Sequence, residues 1–132
     1  MNVIIDASAI IAVLTNEPIK DRLVALTNQA DLLAPHSVHW EIGNAFSAMF
    51  NRKRVDVEQA IEALRIYGHI PIRFVEVELD ETLRIAHAQR IYAYDAYLIR
   101  CAEKYAAPLL SLDRGLLAAA RAQGVRVSEG TP

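Results

Sequence analysis

Hydrophobic and polar positions change period several times along this chain, and the changes mark its elements. Val3-Ile4-Ile5 is a continuous apolar run, as in a strand buried on both faces, and Asp6 ends it. From 7 to 14 apolar residues recur at helical spacing, so a helix is entered directly after Asp6. Glu17-Pro18 opens a second helix, running to about Gln29, because proline is tolerated in a first turn. Leu32-Leu33-Ala34 reads as a short strand that Pro35 ends. Ser37 is expected to cap a helix over 38–52, and Asp56 another over 57–67 with Gln59 at its capping-box position. A strand follows at 73–77 and a helix from Glu78 to about Arg90. Asp95 is expected to open a helix reaching about Tyr105. Leu109-Leu110-Ser111 makes a strand, Arg114 to Gln123 a helix stopped by Gly124, and Val125-Arg126-Val127 a last strand.

Short strands alternating with amphipathic helices predict an α/β sandwich with a mainly parallel sheet. A single domain is expected over 1–128, followed by a short tail at 129–132. Ligands of such sheets bind beyond the carboxyl ends of the strands. Asp6 and Asp113 should both be there, each following an apolar run.

Length and composition narrow the class. A chain of 132 residues with 53% hydrophobic and 23% charged residues suits an ordinary globular domain. Its net charge of −2 gives no whole-chain attraction to nucleic acid. Arg52-Lys53-Arg54 is nonetheless a compact basic cluster, able to hold a polyanion or simply to solvate a helix end. Cys101 is the only cysteine, so no intrachain disulfide can form and a reducing cytoplasm is the expected home. No apolar run is long enough for a membrane span, and Asp6 interrupts the N-terminal stretch where a signal peptide would need continuity.

Four acids carry the candidate chemistry: Asp6, Glu41, Asp95 and Asp113. Carboxylates are rarely buried unless paired or bound to a metal. The aspartates all precede or open helices, so capping explains each of them as readily as chemistry does. Glu41 resists that explanation. It lies three residues after Val38 and four before Ala45, at the edge of the buried stripe of its helix. Two unit charges ~4 Å apart repel by about 4 kcal/mol at an effective dielectric near 20, a cost that a divalent cation cancels. An all-oxygen set suits Mg²⁺ or Mn²⁺ over zinc. His36, His39, His69 and His87 form no zinc-type pattern with Cys101. Ser8, two after Asp6, and Ser111, two before Asp113, can hydrogen-bond a ligating carboxylate or serve ordinary turns. Asn44, three after Glu41, can face the same site or solvent.

Competing chemistries lack their residues. There is no Gly-x-Ser-x-Gly elbow, Gly-x-x-x-x-Gly-Lys loop or Gly-x-Gly-x-x-Gly fingerprint. A receiver-like phosphoacceptor would want a lysine at the end of a late strand, and Lys20, Lys53 and Lys104 all fall in helical segments.

Val3-Ile4-Ile5-Asp6-Ala7-Ser8-Ala9 resembles the opening motif of PIN-domain ribonucleases, and Glu41-Ile42-Gly43-Asn44-Ala45 their Glu-x-x-Asn-Ala helix. Tyr94-Asp95-Ala96-Tyr97 followed by Ala102 resembles their third acidic motif. Leu109-Leu110-Ser111-Leu112-Asp113 resembles the last, with serine where threonine is usual. Size and the Tyr-Asp-Ala motif resemble the VapC toxins of toxin–antitoxin pairs. The resemblance implies a three-layer sandwich with strand order 3-2-1-4-5 and a Mg²⁺- or Mn²⁺-dependent endoribonuclease. It also implies a homodimer, and a cognate VapB-like antitoxin that blocks the site. Asp6, Glu41, Asp95 and Asp113 would hold the metal, with Ser8, Asn44 and Ser111 behind them. Arg114 or the Arg52-Lys53-Arg54 cluster would hold phosphates of the RNA. A catalytically silent PIN-like module that binds RNA or a partner is the alternative, although such a module would be expected to have lost acidic positions. The helices over 38–52 and 57–67 carry Phe46, Met49, Phe50, Ile61, Leu64 and Tyr67, more apolar surface than one sheet face covers, and they are the expected dimer face.

Overall fold

The structure is a computed structural model and describes residues 1–128; the expected tail at 129–132 lies outside the described residues. Elements follow in the order β1 (Asn2–Ile5), α1 (Ala7–Leu14), α2 (Lys20–Thr27), β2 (Asp31–Pro35), α3 (Ser37–Asn51) and α4 (Val57–Tyr67), then β3 (Ile72–Val75), α5 (Leu79–Gln89), α6 (Ala93–Tyr105), β4 (Leu109–Leu110), α7 (Arg114–Ala122) and β5 (Val127–Ser128). The sheet runs β3-β2-β1-β4-β5, every neighbouring pair parallel. This is the α/β architecture and strand order expected from the sequence.

Strand order dictates where the helices go. Right-handed crossovers from β1 to β2 to β3 step one way and put α1 to α4 on one face; those from β3 to β4 to β5 step the other way and put α5 to α7 on the opposite face. The packing agrees, since α1 meets α2, α3 and α4, whereas α6 pairs with α5 and lies on β1, β2 and β4. Direction reverses between β1 and β4, so a crevice opens at their carboxyl ends. Beneath it lies a core in which Ile4, Leu33, Leu109, Leu110, Ile99 and Leu116 are fully buried. Such side chains contribute roughly 1.5–3 kcal/mol each on transfer from water.

Several local expectations are corrected. Glu17 and Pro18 belong to a turn, not to α2: the Glu17 amide donates to Ala12 O at 3.0 Å and the Lys20 amide to Glu17 O at 2.9 Å, so the helix begins only at Lys20. Pro35 does not end β2 from outside but is its last residue, opposite Val75. Pairing with β1 has stopped at Leu33, so no ladder bond to β1 needs the missing N–H. Ser37 is no cap; His36 occupies that position without a side-chain cap, and the Ser37 hydroxyl is buried without a hydrogen-bond partner. Asp95 does not open α6 but is its third residue, in the first turn. β5 is shifted to Val127–Ser128 because Gly124, at φ 89°, lets the Val125 amide return to Ala120 O and close α7. The Asp56 capping box forms as expected.

The apolar surplus on α3 and α4 is mostly core. Phe46 and Tyr67 are buried, and Met49 and Leu64 are partly buried against the core, leaving Phe50 and Ile61 outermost. The paired helices carry more of the interior than a single sheet face would suggest.

Candidate functional site

The site starts from two strands in register. Ile5 of β1 stands opposite Leu110 of β4, so the residues that follow, Asp6 and Ser111, emerge side by side at the crevice. Asp6 is 5% exposed and Ser111 fully buried. The Ser111 hydroxyl donates to Asp6 Oδ2 at 2.5 Å and accepts from the Asp113 amide at 2.9 Å. Ser8 donates to Asp6 Oδ1 at 2.7 Å and accepts from the Leu112 amide at 3.0 Å. Each hydroxyl spends its proton on the aspartate and its lone pair on the chain after β4. The distance from Ser111 is that of a charge-assisted bond to an ionised carboxylate.

Asp6 and Asp113 are also N-caps. Asp6 Oδ1 accepts from the Ala9 amide at 3.1 Å, and Asp113 Oδ1 from the Leu116 amide at 3.1 Å. Capping does not exclude a second role, since each carboxylate keeps an oxygen outside the capping bond. Burial raises the Asp6 pKa above the usual range; the hydroxyls of Ser111 and Ser8 and the Ala9 amide oppose that, and the Asp113 charge adds to it.

Glu41 and Asp95 arrive from two helices that start beside the crevice. Glu41 sits one turn into α3, half-buried, and its pKa is pushed up to about 7 by burial first and then by the charges of Asp6 and Asp95. Burial also raises Asp95, with Asp113 adding repulsion. Its place in the first turn of α6 sets it against the positive end of a helix dipole. These carboxylates therefore sense one another across the crevice. Among the described residues, however, no three His, Cys, Asp or Glu side chains are drawn into a cluster that could hold a metal ion as they stand.

The remaining candidates divide. Asn44 is exposed one turn beyond Glu41, and its carbonyl accepts from Ser47 Oγ. Arg114 is exposed directly after Asp113. Arg52, Lys53 and Arg54 are exposed at the far end of α3. At ~1.5 Å per residue they lie about 16 Å along the axis from Glu41, so the fold does not bring them to the acids. Cys101 is buried, and burial pushes its thiol up to about 12, which leaves it inert.

A cavity of about 360 Å³ lies at the carboxyl ends of β2 and β3, beside the starts of α3 and α6, lined by Trp40, Tyr94, Tyr97, His36, Ser37 and Glu76. Sequence reasoning missed it, although Trp40 and Tyr94 immediately precede Glu41 and Asp95. A larger cavity of about 700 Å³, lined by Asn2, Asp31 and Arg73, lies at the amino ends of the strands, away from every one of the four acids. Chemistry outweighs volume here, and the acidic crevice is the candidate site.

The PIN-domain family model matches residues 3–122. The chain belongs to the PIN-domain family. Three solved structures share this PIN fold. PAE2754 from Pyrobaculum aerophilum is 25% identical with a TM-score of 0.70, covering 98% of this chain and 84% of that one. VapC20 from Mycobacterium tuberculosis, described as a Sarcin-Ricin loop cleaving toxin, is 16% identical with a TM-score of 0.66 over 98% of this chain and 99% of that one. VapBC2 from Rickettsia felis, bound to a DNA fragment from its promoter, is 11% identical with a TM-score of 0.65, covering 97% and 98%. No curated protein matches the sequence. The likeness to the two Vap proteins is one of fold.

Proposed function

We propose that this PIN domain is a Mg²⁺- or Mn²⁺-dependent endoribonuclease, the toxin of a toxin–antitoxin pair. One observation carries the reading: acids that follow β1, sit in α3 and α6 and cap α7 are near enough for their charges to act on one another, and burial with that repulsion raises Asp6, Glu41 and Asp95. A donor set made only of carboxylate oxygens fits a hard divalent cation. Asp6, Glu41, Asp95 and Asp113 would hold it.

A bound ion supplies Lewis acidity and lowers the pKa of a water beside it. The chain's own residues do the rest. Ser8 and Ser111 fix the Asp6 carboxylate and oppose the upward pull of burial on its pKa. Glu41, with a pKa near neutrality, gives up its proton when a cation replaces it. In the hydrolysis the water oxygen bonds to phosphorus while the bond from phosphorus to the leaving sugar oxygen breaks, and that oxygen takes up a proton. Arg114, exposed directly after Asp113, would hold a neighbouring phosphate. The Arg52-Lys53-Arg54 cluster would hold only phosphates well away from the scissile one.

A VapB-like antitoxin and a homodimer complete the reading. VapBC2 of Rickettsia felis has this fold, and Phe50 and Ile61 are 37% and 47% exposed on α3 and α4. Light scattering should give twice the 14.7 kDa chain mass; the monomer mass at micromolar concentration would remove the dimer. Among the described residues no helix is long and apolar enough to cross a membrane, in keeping with a cytoplasmic enzyme. RNA cleavage by wild type and Asp6→Asn in Mn²⁺ tests the whole reading. Wild type should cut, and both chelation and Asp6→Asn should stop it; equal cutting by the variant would overturn the proposal.

A further inference from the structure

We infer that the cavity beside the acids is a subsite for one unpaired nucleobase of the RNA strand, next to the scissile phosphate. The inference deepens the ribonuclease reading and rests on it. Its first support is position: Trp40 adjoins Glu41 in α3, Tyr94 adjoins Asp95 in α6, and Tyr97 lies one helical turn on from Tyr94. The cavity is also lined by Pro35 and Val75, the last residues of β2 and β3, so its occupant sits on the same carboxyl edge of the sheet as the acids. The second is exposure. Trp40 is 72% and Tyr94 61% exposed, although large aromatic rings are ordinarily kept from water. Tyr94 and Tyr97 meet edge to face, at 6.2 Å and 80°, so each ring braces the other.

Polar chemistry selects the occupant. Among the described residues that line the cavity there is no lysine or arginine, and Glu76 is one of them. A phosphate there would meet the Glu76 carboxylate and no cation. A base is neutral, flat and polar at its edge. Its faces suit the exposed rings, and its edge can hydrogen-bond the exposed Glu76 carboxylate and the His36 ring in the lining. An apolar side chain from a protein partner would cover the rings but strip water from His36 and Glu76 without replacing its hydrogen bonds. The subsite would act only on a splayed-out base, which favours single-stranded RNA or a loop over a duplex.

Trp40 is the only tryptophan, so its fluorescence reports this cavity alone. The full chain, in EDTA at low salt, is titrated with a short single-stranded oligoribonucleotide and with an abasic oligomer of the same length. Saturable quenching is expected from the first and not from the second. Tyr94→Ala should weaken oligoribonucleotide binding, and raise KM for cleavage in Mn²⁺, by roughly 5- to 150-fold, with kcat little changed. Because Tyr94 is exposed, its loss should leave the melting temperature intact. Equal quenching by the abasic oligomer, no quenching by either, or wild-type affinity and KM in Tyr94→Ala would each overturn the subsite. Quenching by an apolar peptide but not by the oligoribonucleotide would overturn it in favour of a protein anchor. Cleavage measured in parallel separates the two readings: base-dependent quenching without cleavage in Mn²⁺ sinks the nuclease and keeps the subsite, and cleavage without base-dependent quenching does the reverse.

Discussion

At the β1–β4 junction Asp6, Ser8, Ser111 and Asp113 are all held by hydrogen bonds among themselves or to nearby amides, whereas on the rim formed by α3 and α6 Glu41 meets mainly burial and like charge. Both regions carry acids of the same crevice. The junction is built on paired strands, and its carboxylates are fixed in the folded chain. The rim is built on helix starts that face outward, and it holds Glu41, Asp95, the exposed Trp40 and Tyr94 and the unpaired Ser37 hydroxyl. One region is finished by folding, and on the proposed reading the other would be completed by what binds. That division matches a catalytic site whose floor is preorganised and whose wall responds to ion and substrate.

The largest expected effect tests the rim. Glu41→Gln keeps shape and removes charge, so RNA cleavage should fall by about two orders of magnitude or more, as on loss of a key electrostatic group. Its metal-free stability should not fall, because a repelling charge is gone. Cleavage at the wild-type rate in a single-turnover assay would leave the rim without a catalytic role.

At the junction the effect should appear in stability. Ser111→Ala deprives Asp6 Oδ2 of its closest donor and the Asp113 amide of its acceptor, at a cost of about 1–3 kcal/mol. A domain of this size should then melt several degrees lower. Asn44→Ala, on an exposed helix face, should stay within about 0.5 kcal/mol. If calorimetry finds the two variants equally stable, the contrast between fixed floor and open wall is gone.

The smallest effect concerns pH. Glu41 has a folded pKa of about 7 against an ordinary 4.5, so the folded chain binds more protons than the unfolded one between those values. Metal-free stability should therefore fall as pH rises from about 4.5 to about 7, and then level off. The upward shifts of Asp6 and Asp95 act in the same direction. Glu78 behaves oppositely: held down to about 2 by Lys104 first, it adds stability above pH 4.5 that is lost only as pH falls towards 2. Urea midpoints of wild type and Glu41→Gln at pH 5 and 7.5 should show the shallower fall in the variant; identical falls would remove Glu41 as its source.

Much of this was legible in the chain. The apolar run ended by Asp6 marked the end of β1, Asp113 marked the start of α7, and the stripe around Glu41 singled out an acid that capping cannot explain. What escaped depended on tertiary placement. Ser37 has a capping residue's chemistry, but the chain enters α3 at His36 in helical conformation and buries the hydroxyl instead. Pro35 reads as a strand breaker until the register shows it past the end of β1 pairing. Phe46 and Tyr67 look like surplus surface from periodicity alone, because which helix covers them is decided by crossover handedness. The aromatic cavity needs α3, β3 and α6 together, and no window along the chain contains all three.

The central claim is that these four carboxylates form one cation site, and the melting temperature with and without Mn²⁺ tests it most directly. At a free concentration ~100 times the dissociation constant the ion should add about 2.7 kcal/mol, several degrees for this domain. Glu41→Gln should lose most of that gain while matching or exceeding wild type in chelator. A wild-type melting temperature indifferent to millimolar Mn²⁺, or the full gain in Glu41→Gln, would contradict the account.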